Sequence, residues 1–272
     1  MALLSGKTAL VSGVANSRSI AWGIAQAFHE HGARVAFTCL ESTQRRVAKL
    51  AAEVGSDLVF PCDATNDEDI ARTFADVGKA FDGKLNILVH SIAYARIEDI
   101  RGEFLNVTRD GWRLALDVSA YSLVAMARAA RPLMKAAGGG AIMTMTFAGG
   151  SRVSPGYNMM GVAKAALECA VRYLAYDLGP DGIRVNALSP GPLPTVSAMV
   201  VEYFDQIVEK FETVSPMLRA MTPRDVGNAA VLYAADISSA MTGAVIPVDG
   251  GMDLMIASAG AHPRARPKAH KS

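Results

Sequence analysis

The chain has 272 residues, 51% of them hydrophobic and 19% charged, with a formal net charge of +1. That length suffices for one large α/β domain with a buried core. The near-neutral balance excludes a global electrostatic pull toward nucleic acid or anionic membrane, and no stretch reaches the roughly 18 uninterrupted apolar residues of a membrane span.

Taken in chain order, short apolar runs read as buried strands at Thr8–Ser12, Arg34–Thr38, Leu58–Pro61, Ile87–His90, Ala141–Thr146 and Arg184–Ser189. Amphipathic stretches lie at about 20–50, 67–80, 108–136 and 157–179. Strands alternating with helices predict a parallel sheet with helices on both faces, with any ligand along the edge formed by the strand C-termini.

The first strand runs into Gly13, a short loop and Ser19, and a helix follows. Free backbone N–H groups and the positive helix end at such a junction suit a phosphate. Gly13 permits the tight turn and Ser19 is a natural N-cap. The G-x-G-x-x-G fingerprint is absent, so the segment also reads as an ordinary strand–helix turn. Glu41, after the second strand, suits the ribose hydroxyls of NAD and disfavours the 2′-phosphate of NADP. Arg45 and Arg46 oppose that tilt, and Glu41 also reads as a first-turn helix charge. Asp63 after the third strand suits an adenine amine. Ser91, Ile92 and Ala93 after the fourth are small enough to let a sugar–phosphate chain approach. Each has a second reading as turn chemistry.

Tyr157 and Lys164 stand seven residues apart. On a helix this is just under two turns, so both project from nearly one face. An ammonium beside a phenol lowers its pKa, which suits a proton donor. After the sixth strand, the run from Ser189 to Thr195 contains three prolines. It suits a loop closing over the carboxamide end of a cofactor, with Thr195 toward pyrophosphate, or a solvated turn. From Thr195 to Pro216, apolar residues at Met199, Val200, Tyr203, Phe204, Ile207, Val208 and Phe211 predict one or two inserted helices, either a lid or a packed surface helix. The segment from Ala257 to Ser272 is small, basic and proline-containing, and reads as a disordered tail.

His29 and His31 diverge on a helix and match no metal motif; with Gly32 as C-cap they read as last-turn residues. His90 reads as a packed imidazole. Cys39, Cys62 and Cys169 show no ligand spacing and read as small core residues in a reducing compartment. Together with a start that lacks signal-peptide pattern, this predicts a cytoplasmic protein. The apolar composition, with mean hydropathy +0.22, predicts subunit contacts.

From about Leu4 to Met252 the chain resembles the short-chain dehydrogenase/reductase superfamily, in its enoyl-acyl-carrier-protein reductase branch. The resemblance rests on Gly13 with Ser19-Ile20, His90-Ser91-Ile92, Arg184-Val-Asn-Ala, Val248-Asp-Gly-Gly251, and Tyr-x6-Lys in place of Tyr-x3-Lys. It implies a single doubly wound, Rossmann-like α/β domain over residues 1–256, a parallel sheet of about seven strands flanked by helices, and a helical substrate loop at about 195–216. It implies NADH, with NADPH less favoured, held by Gly13, Ser19 and Ile20. Leu40, Asp63, Ala64, Ser91 and Ile92 would line the adenosine side. Lys164 would take the nicotinamide ribose, and Leu193, Pro194, Thr195, Val196 and Ser197 would close the nicotinamide end. The implied reaction reduces a trans-2-enoyl thioester on acyl carrier protein, with Tyr157 stabilising the enolate and Ala95 beside the thioester. A homotetramer is usual for the branch. Phe147 stands where many bacterial members have a second tyrosine; mycobacterial long-chain relatives also have Phe, which would shape the acyl pocket. Many members also have Gln near Leu40 and a basic residue near Pro194. These departures leave two other readings open, a carbonyl or alcohol dehydrogenase of the same fold and a cofactor-binding paralogue with little catalysis.

Overall fold

A computed structural model describes residues 2–196, 198–200 and 204–255. Seven strands form one sheet: β1 Thr8–Ser12, β2 Arg34–Cys39, β3 Val59–Pro61, β4 Ile87–His90, β5 Gly140–Met145, β6 Ile183–Pro190 and β7 Val245–Val248. Their order is β3-β2-β1-β4-β5-β6-β7, and every pairing is parallel. The chain reverses direction across the sheet between β1 and β4, and the crevice above that switch point is where doubly wound sheets bind ligands. The expected α/β class is therefore the observed one.

Alternate strand residues serve opposite faces, as pleating requires. Ala9, Val11, Val35, Phe37, Ile87 and Val89 enter one apolar layer with Trp22, Phe28 and Val226. Leu10, Ala36, Leu88, Ile142 and Val185 enter the other with Phe74, Leu123, Met126 and Leu167. The first layer lies under α1 Ile20–Glu30, α2 Gln44–Glu53 and, late in the chain, a helix at Pro223–Ala234. The second lies under α3 Asp67–Ala80 and two long helices at Ser122–Ala136 and Asn158–Leu178. Between them in sequence come α4 Ile97–Ile100 and α5 Arg109–Leu116, so the long helices are α6 and α7; α8 is Phe204–Val214 and the late helix is α9.

Several expectations need correction. The amphipathic stretch at 20–50 is two helices separated by β2, because an apolar strand and its flanking helices merge in any long window. The stretch at 108–136 is broken by a π-helical turn at Asp117–Tyr121. Neither β7 nor α9 stood out in the apolar pattern. β7 is an edge strand bonded only to β6, half exposed, and an edge is where its Pro247 is tolerated. α9 did carry a signal: Thr222 caps the helix, Pro223 opens it and Asp225 completes a capping box. Cys39 and Cys62 are buried as expected, but Cys169 is exposed on α7. The tail at 257–272 and the loop's Tyr203 lie outside the described residues.

α9 meets α1 at a pair of glycines. A Cβ on Gly23 would sit 2.5 Å from the Pro223 carbonyl oxygen, and one on Gly227 would sit 2.4 Å from that of Gly23. The helices cross closely only because neither position carries a side chain. Arg224 of α9 also pairs with Glu30 at the end of α1. This contact holds the N-terminal half of α1, and so the loop before it, against the rest of the domain.

Candidate active site

The loop after β1 is fixed from three sides. Gly13 has φ +86°, and a Cβ there would lie 1.9 Å from the Ser91 carbonyl oxygen. Gly13 thus allows the ends of β1 and β4 to meet, a stronger constraint than the tight turn expected of it. Ser12 Oγ donates to the Val89 carbonyl (2.7 Å) and accepts from the Ser91 N–H (3.3 Å), stitching the same two ends. Ser19 precedes α1 in extended conformation but makes no side-chain cap to it. Its hydroxyl instead accepts from the N–H groups of Ala15 and Asn16, both at 3.1 Å, curling the loop back toward the helix. Arg46 of α2 reaches over to the Ala15 carbonyl at 3.3 Å. Trp22 and Gly23 donate to the Ser19 carbonyl at 3.1 and 3.3 Å, while the first two N–H groups of α1, those of Ile20 and Ala21, have no intrahelical acceptor, so the crevice keeps an anion-favouring helix end.

Leu40 follows β2 and is 52% exposed; Glu41 beside it is also exposed. Asp63 follows β3, where its carboxylate accepts from the N–H (2.9 Å) and hydroxyl (2.7 Å) of Thr65. Ala64 is buried next to it. Ser91 and Ile92 are half-buried after β4, with Ile92 packed on the second apolar layer. The C-terminal ends of the parallel strands bring all of these to one edge.

His90, at the end of β4, is fully buried. Its Nδ1 lies 2.9 Å from Thr144 Oγ1 and its Nε2 lies 2.8 Å from Ser122 Oγ. Ser122 already donates to the Val118 carbonyl at 2.6 Å, so it accepts from Nε2–H, and Nδ1 accepts from Thr144. Burial, and then the charge of Lys164, push the imidazole down to about 3. It is a neutral packing element, in line with the reading of the sequence.

Tyr157, Lys164 and Phe147 come together where β5 ends and α7 begins. Lys164 is 5% exposed, and its Nζ donates to the Met145 carbonyl, the last of β5, at 2.8 Å. Burial pushes the amine down to about 8, with the Glu168 carboxylate acting the other way. Glu168 in turn accepts from Thr146 Oγ1 at 2.6 Å. The rings of Phe147 and Tyr157 meet edge to face, centroids 5.0 Å apart at 67°. A Cβ on Gly149 would fall 2.7 Å from the Tyr157 ring and 3.1 Å from that of Phe147, and one on Gly161 would fall 2.8 Å from the Gly149 carbonyl oxygen. Two glycines therefore seat the aromatic pair. Among the described residues the Tyr157 hydroxyl makes no hydrogen bond.

Two expectations about this pair are corrected. Tyr157 is the N-cap of α7 and lies outside the helix, so a seven-residue helical step does not by itself align it with Lys164. Its phenol is raised above the ordinary value, with burial as the cause; the amine is engaged at the Met145 carbonyl and does not bring the phenol down.

After β6, Leu193 is buried in the first apolar layer, so it offers the crevice backbone and no side chain. Pro194 and Val196 are exposed. Thr195 Oγ1 accepts from the Ala198 N–H at 3.1 Å, capping the short turn at Ala198–Val200 and leaving its own O–H as a donor. Ser197 lies outside the described residues. The inserted α8 docks through buried Phe204, Phe211 and Val214. A Cβ on Gly191 would lie 2.8 Å from the Phe211 ring, so α8 is a packed helix seated directly on the loop after β6. Ala95 is half-buried in the segment between β4 and α4. One residue of this region escaped the sequence reading: Ser119, in the π-helical turn. It is fully buried, accepts from the Tyr94 N–H (2.9 Å) and donates to the Tyr94 carbonyl (3.0 Å). Its only signal in the sequence was a helical pattern slipping out of period at Asp117–Tyr121. Among the described residues no cluster of His, Cys, Asp or Glu has the makings of a metal site, and no helix is long and apolar enough to cross a membrane.

Comparison with known proteins places this arrangement. The family model described as enoyl-(acyl carrier protein) reductase matches residues 13–253. Enoyl-[acyl-carrier-protein] reductase [NADH] FabI of Aquifex aeolicus is 45% identical over 256 residues, covering 94% of both chains. The Bacillus cereus enoyl-acyl carrier protein reductase, solved with NADP+ and an indole naphthyridinone, superposes with a TM-score of 0.91 at 45% identity, covering 94% of this chain and 100% of that one. The Anaplasma phagocytophilum reductase, solved with NAD, superposes with a TM-score of 0.89 at 38% identity, covering 93% and 96%. A full-length match at this identity, on a fold that seats Tyr157, Lys164 and the Gly13 loop along one sheet edge, makes the chain a member of the enoyl-(acyl carrier protein) reductase family.

Proposed function

We propose that the chain reduces the trans-2 double bond of enoyl thioesters carried on acyl carrier protein, using NADH. The observation that carries this reading is the unpaired phenol of Tyr157, held against Phe147 just past β5, whose last carbonyl takes the buried amine of Lys164, in a chain of this family.

The residues present fit a dinucleotide. At Gly13 the backbone comes so close to Ser91 that even a Cβ is excluded, and the start of α1 faces the same crevice, which suits a pyrophosphate. Leu40, Glu41, Asp63, Ala64, Ser91 and Ile92 would take the adenosine half, with Glu41 favouring an unphosphorylated ribose. Lys164 would hold the nicotinamide ribose hydroxyls, and Pro194, Val196, Ser197 and the backbone at Leu193 and Thr195 would close the other end. When bound, NADH supplies the hydride for C3 of the substrate. Tyr157, uncharged because burial disfavours the phenolate, would donate its hydrogen bond to the thioester oxygen where negative charge develops. Lys164, charged below about pH 8, would add a fixed positive charge nearby. Phe147 offers no hydrogen bond and shapes the acyl pocket with Ala95.

The test is NADH consumption by purified protein on a ladder of trans-2-enoyl thioesters, on free cofactor and carrier protein alike, with NADPH and a panel of ketones in parallel arms. Turnover of enoyl thioesters with NADH is expected. Turnover of ketones alone would make it a carbonyl reductase, and NADH binding without turnover on any substrate would make it a cofactor-binding paralogue. Sedimentation would check the homotetramer that we propose with it.

A further inference from the structure

We propose that Asn158 is a positioning residue for this reaction, locking the segment between Tyr94 and Asn106, one wall of the substrate pocket, to the start of α7 where Tyr157 sits. The inference rests on the reading of Tyr157 as the donor to substrate.

Asn158 directly follows Tyr157 and is the first residue of α7. A first helical residue ordinarily has φ near −60°, yet Asn158 has φ +29°. Left-handed backbone is disfavoured for side-chain-bearing residues, and Asn is among the few that tolerate it. Such a departure persists only where its surroundings hold it in place. What holds it here is a long-range bond: Asn158 Nδ2 donates to the Gly102 carbonyl at 2.9 Å, across 56 residues of sequence. Gly102 also has positive φ, +71°, so both partners adopt uncommon backbone to make this one contact.

Other bonds also hold the segment that Gly102 belongs to. Ser119 pins Tyr94 at its beginning. In its middle, Asp99 is 1% exposed. Its Oδ1 accepts only a long bond, 3.3 Å, from the Thr108 N–H, and its Oδ2 has no hydrogen bond. A Cβ on Gly111 would meet that carboxylate at 2.0 Å, so Asp99 fits by contact with α5 more than by polar bonding. The Asn158–Gly102 bond is a direct polar link between the segment that carries Ala95 and the residue next to Tyr157. Without it the wall and the phenol can shift relative to each other, and small misplacements of reacting groups cost rate steeply.

Two variants separate the bond from the backbone requirement. Asn158→Gly keeps the positive φ at no steric cost but removes the donor. Asn158→Asp keeps size and tolerance of φ but turns an acceptor toward the Gly102 carbonyl. Both are expected to lower kcat/KM on enoyl thioesters by on the order of tenfold, and amide exchange in residues 101–106 should quicken. NADH affinity should stay within about twofold of the unaltered protein. If both variants retain kcat/KM and exchange within about twofold, or if NADH affinity and melting temperature fall in parallel with activity, the positioning role is overturned. Absence of turnover in the unaltered protein would strike the functional reading instead, and the exchange comparison would still decide whether Asn158 holds the wall.

Discussion

A Tyr157→Phe substitution isolates one hydroxyl in a setting that otherwise survives intact. Phe keeps the ring that packs edge to face on Phe147 at 5.0 Å and rests on Gly149. The deleted hydroxyl makes no hydrogen bond with the described residues, so the folded state loses no bond there, and the melting temperature should hold or rise slightly. The same burial that raises the phenol keeps it a neutral donor at neutral pH and makes its hydrogen bond to a developing oxyanion stronger than in water. Removing a donor of this kind costs about 3–4 kcal/mol of transition-state stabilisation, or about 10²–10³ in rate. Single-turnover consumption of NADH with a saturating enoyl thioester measures that step free of product release. NADH affinity, measured by fluorescence titration, should change by no more than about twofold. A single-turnover rate within about threefold of the unaltered enzyme would refute the assignment of Tyr157.

Three further substitutions probe the scaffold. Gly13→Ala places a Cβ 1.9 Å from the Ser91 carbonyl oxygen at φ +86°; destabilisation of about 2–5 kcal/mol and loss of NADH binding are expected by denaturant titration and calorimetry, and a fully stable, NADH-binding variant would contradict the close approach. Gly23→Ala pushes α1 from the Pro223 backbone at 2.5 Å and should lower stability by about 1–3 kcal/mol, readable as a drop in melting temperature; no drop would mean the helices part freely. His90→Gln tests a pH dependence. The imidazole is held near 3 in the fold, so below its ordinary value the unfolded chain takes up a proton that the folded chain refuses. Stability is therefore fully present above about pH 6.5 and falls on acidification, and by about pH 5 this group accounts for about 2 kcal/mol. Chemical denaturation should show that slope in the unaltered protein and a shallower one in the variant; equal slopes would remove His90 as the source.

The strands were legible because burial on both faces leaves continuous apolar runs. Of the six predicted ends nearest the crevice, those of β1, β3 and β4 coincide with the observed ones, and those of β2, β5 and β6 lie one residue away. The elements that escaped are those whose signal is not apolar. β7 alternates exposure and contains Pro247, and α9 announces itself by Thr222, Pro223 and Asp225 at its start. The π-helical turn at Asp117–Tyr121 was hidden for a different reason. A slip of one residue in a 3.6-residue period is small against a stretch of nearly thirty residues that is otherwise regular.

At the site, residue types could be read from the chain but their partners could not, because the partners are distant in sequence. Gly13 reads as a turn glycine; what makes it indispensable is the Ser91 carbonyl, 78 positions on in the chain, brought within 1.9 Å of its missing Cβ. Ser19 reads as a cap, yet its hydroxyl serves the loop behind it. Thr195 reads as a phosphate ligand, and its oxygen also caps the next turn. The Tyr157–Lys164 spacing assumed a helix for both, whereas the phenol precedes the helix and the amine reaches back to the end of β5. Local spacing therefore pointed to residue types, while their protonation and direction come from burial and from strand ends that only the folded sheet assembles. That division explains why burial raises the phenol with no lowering by the amine, and why the seat of the Tyr157 ring rests on Gly149 and Gly161, which no local spacing reveals.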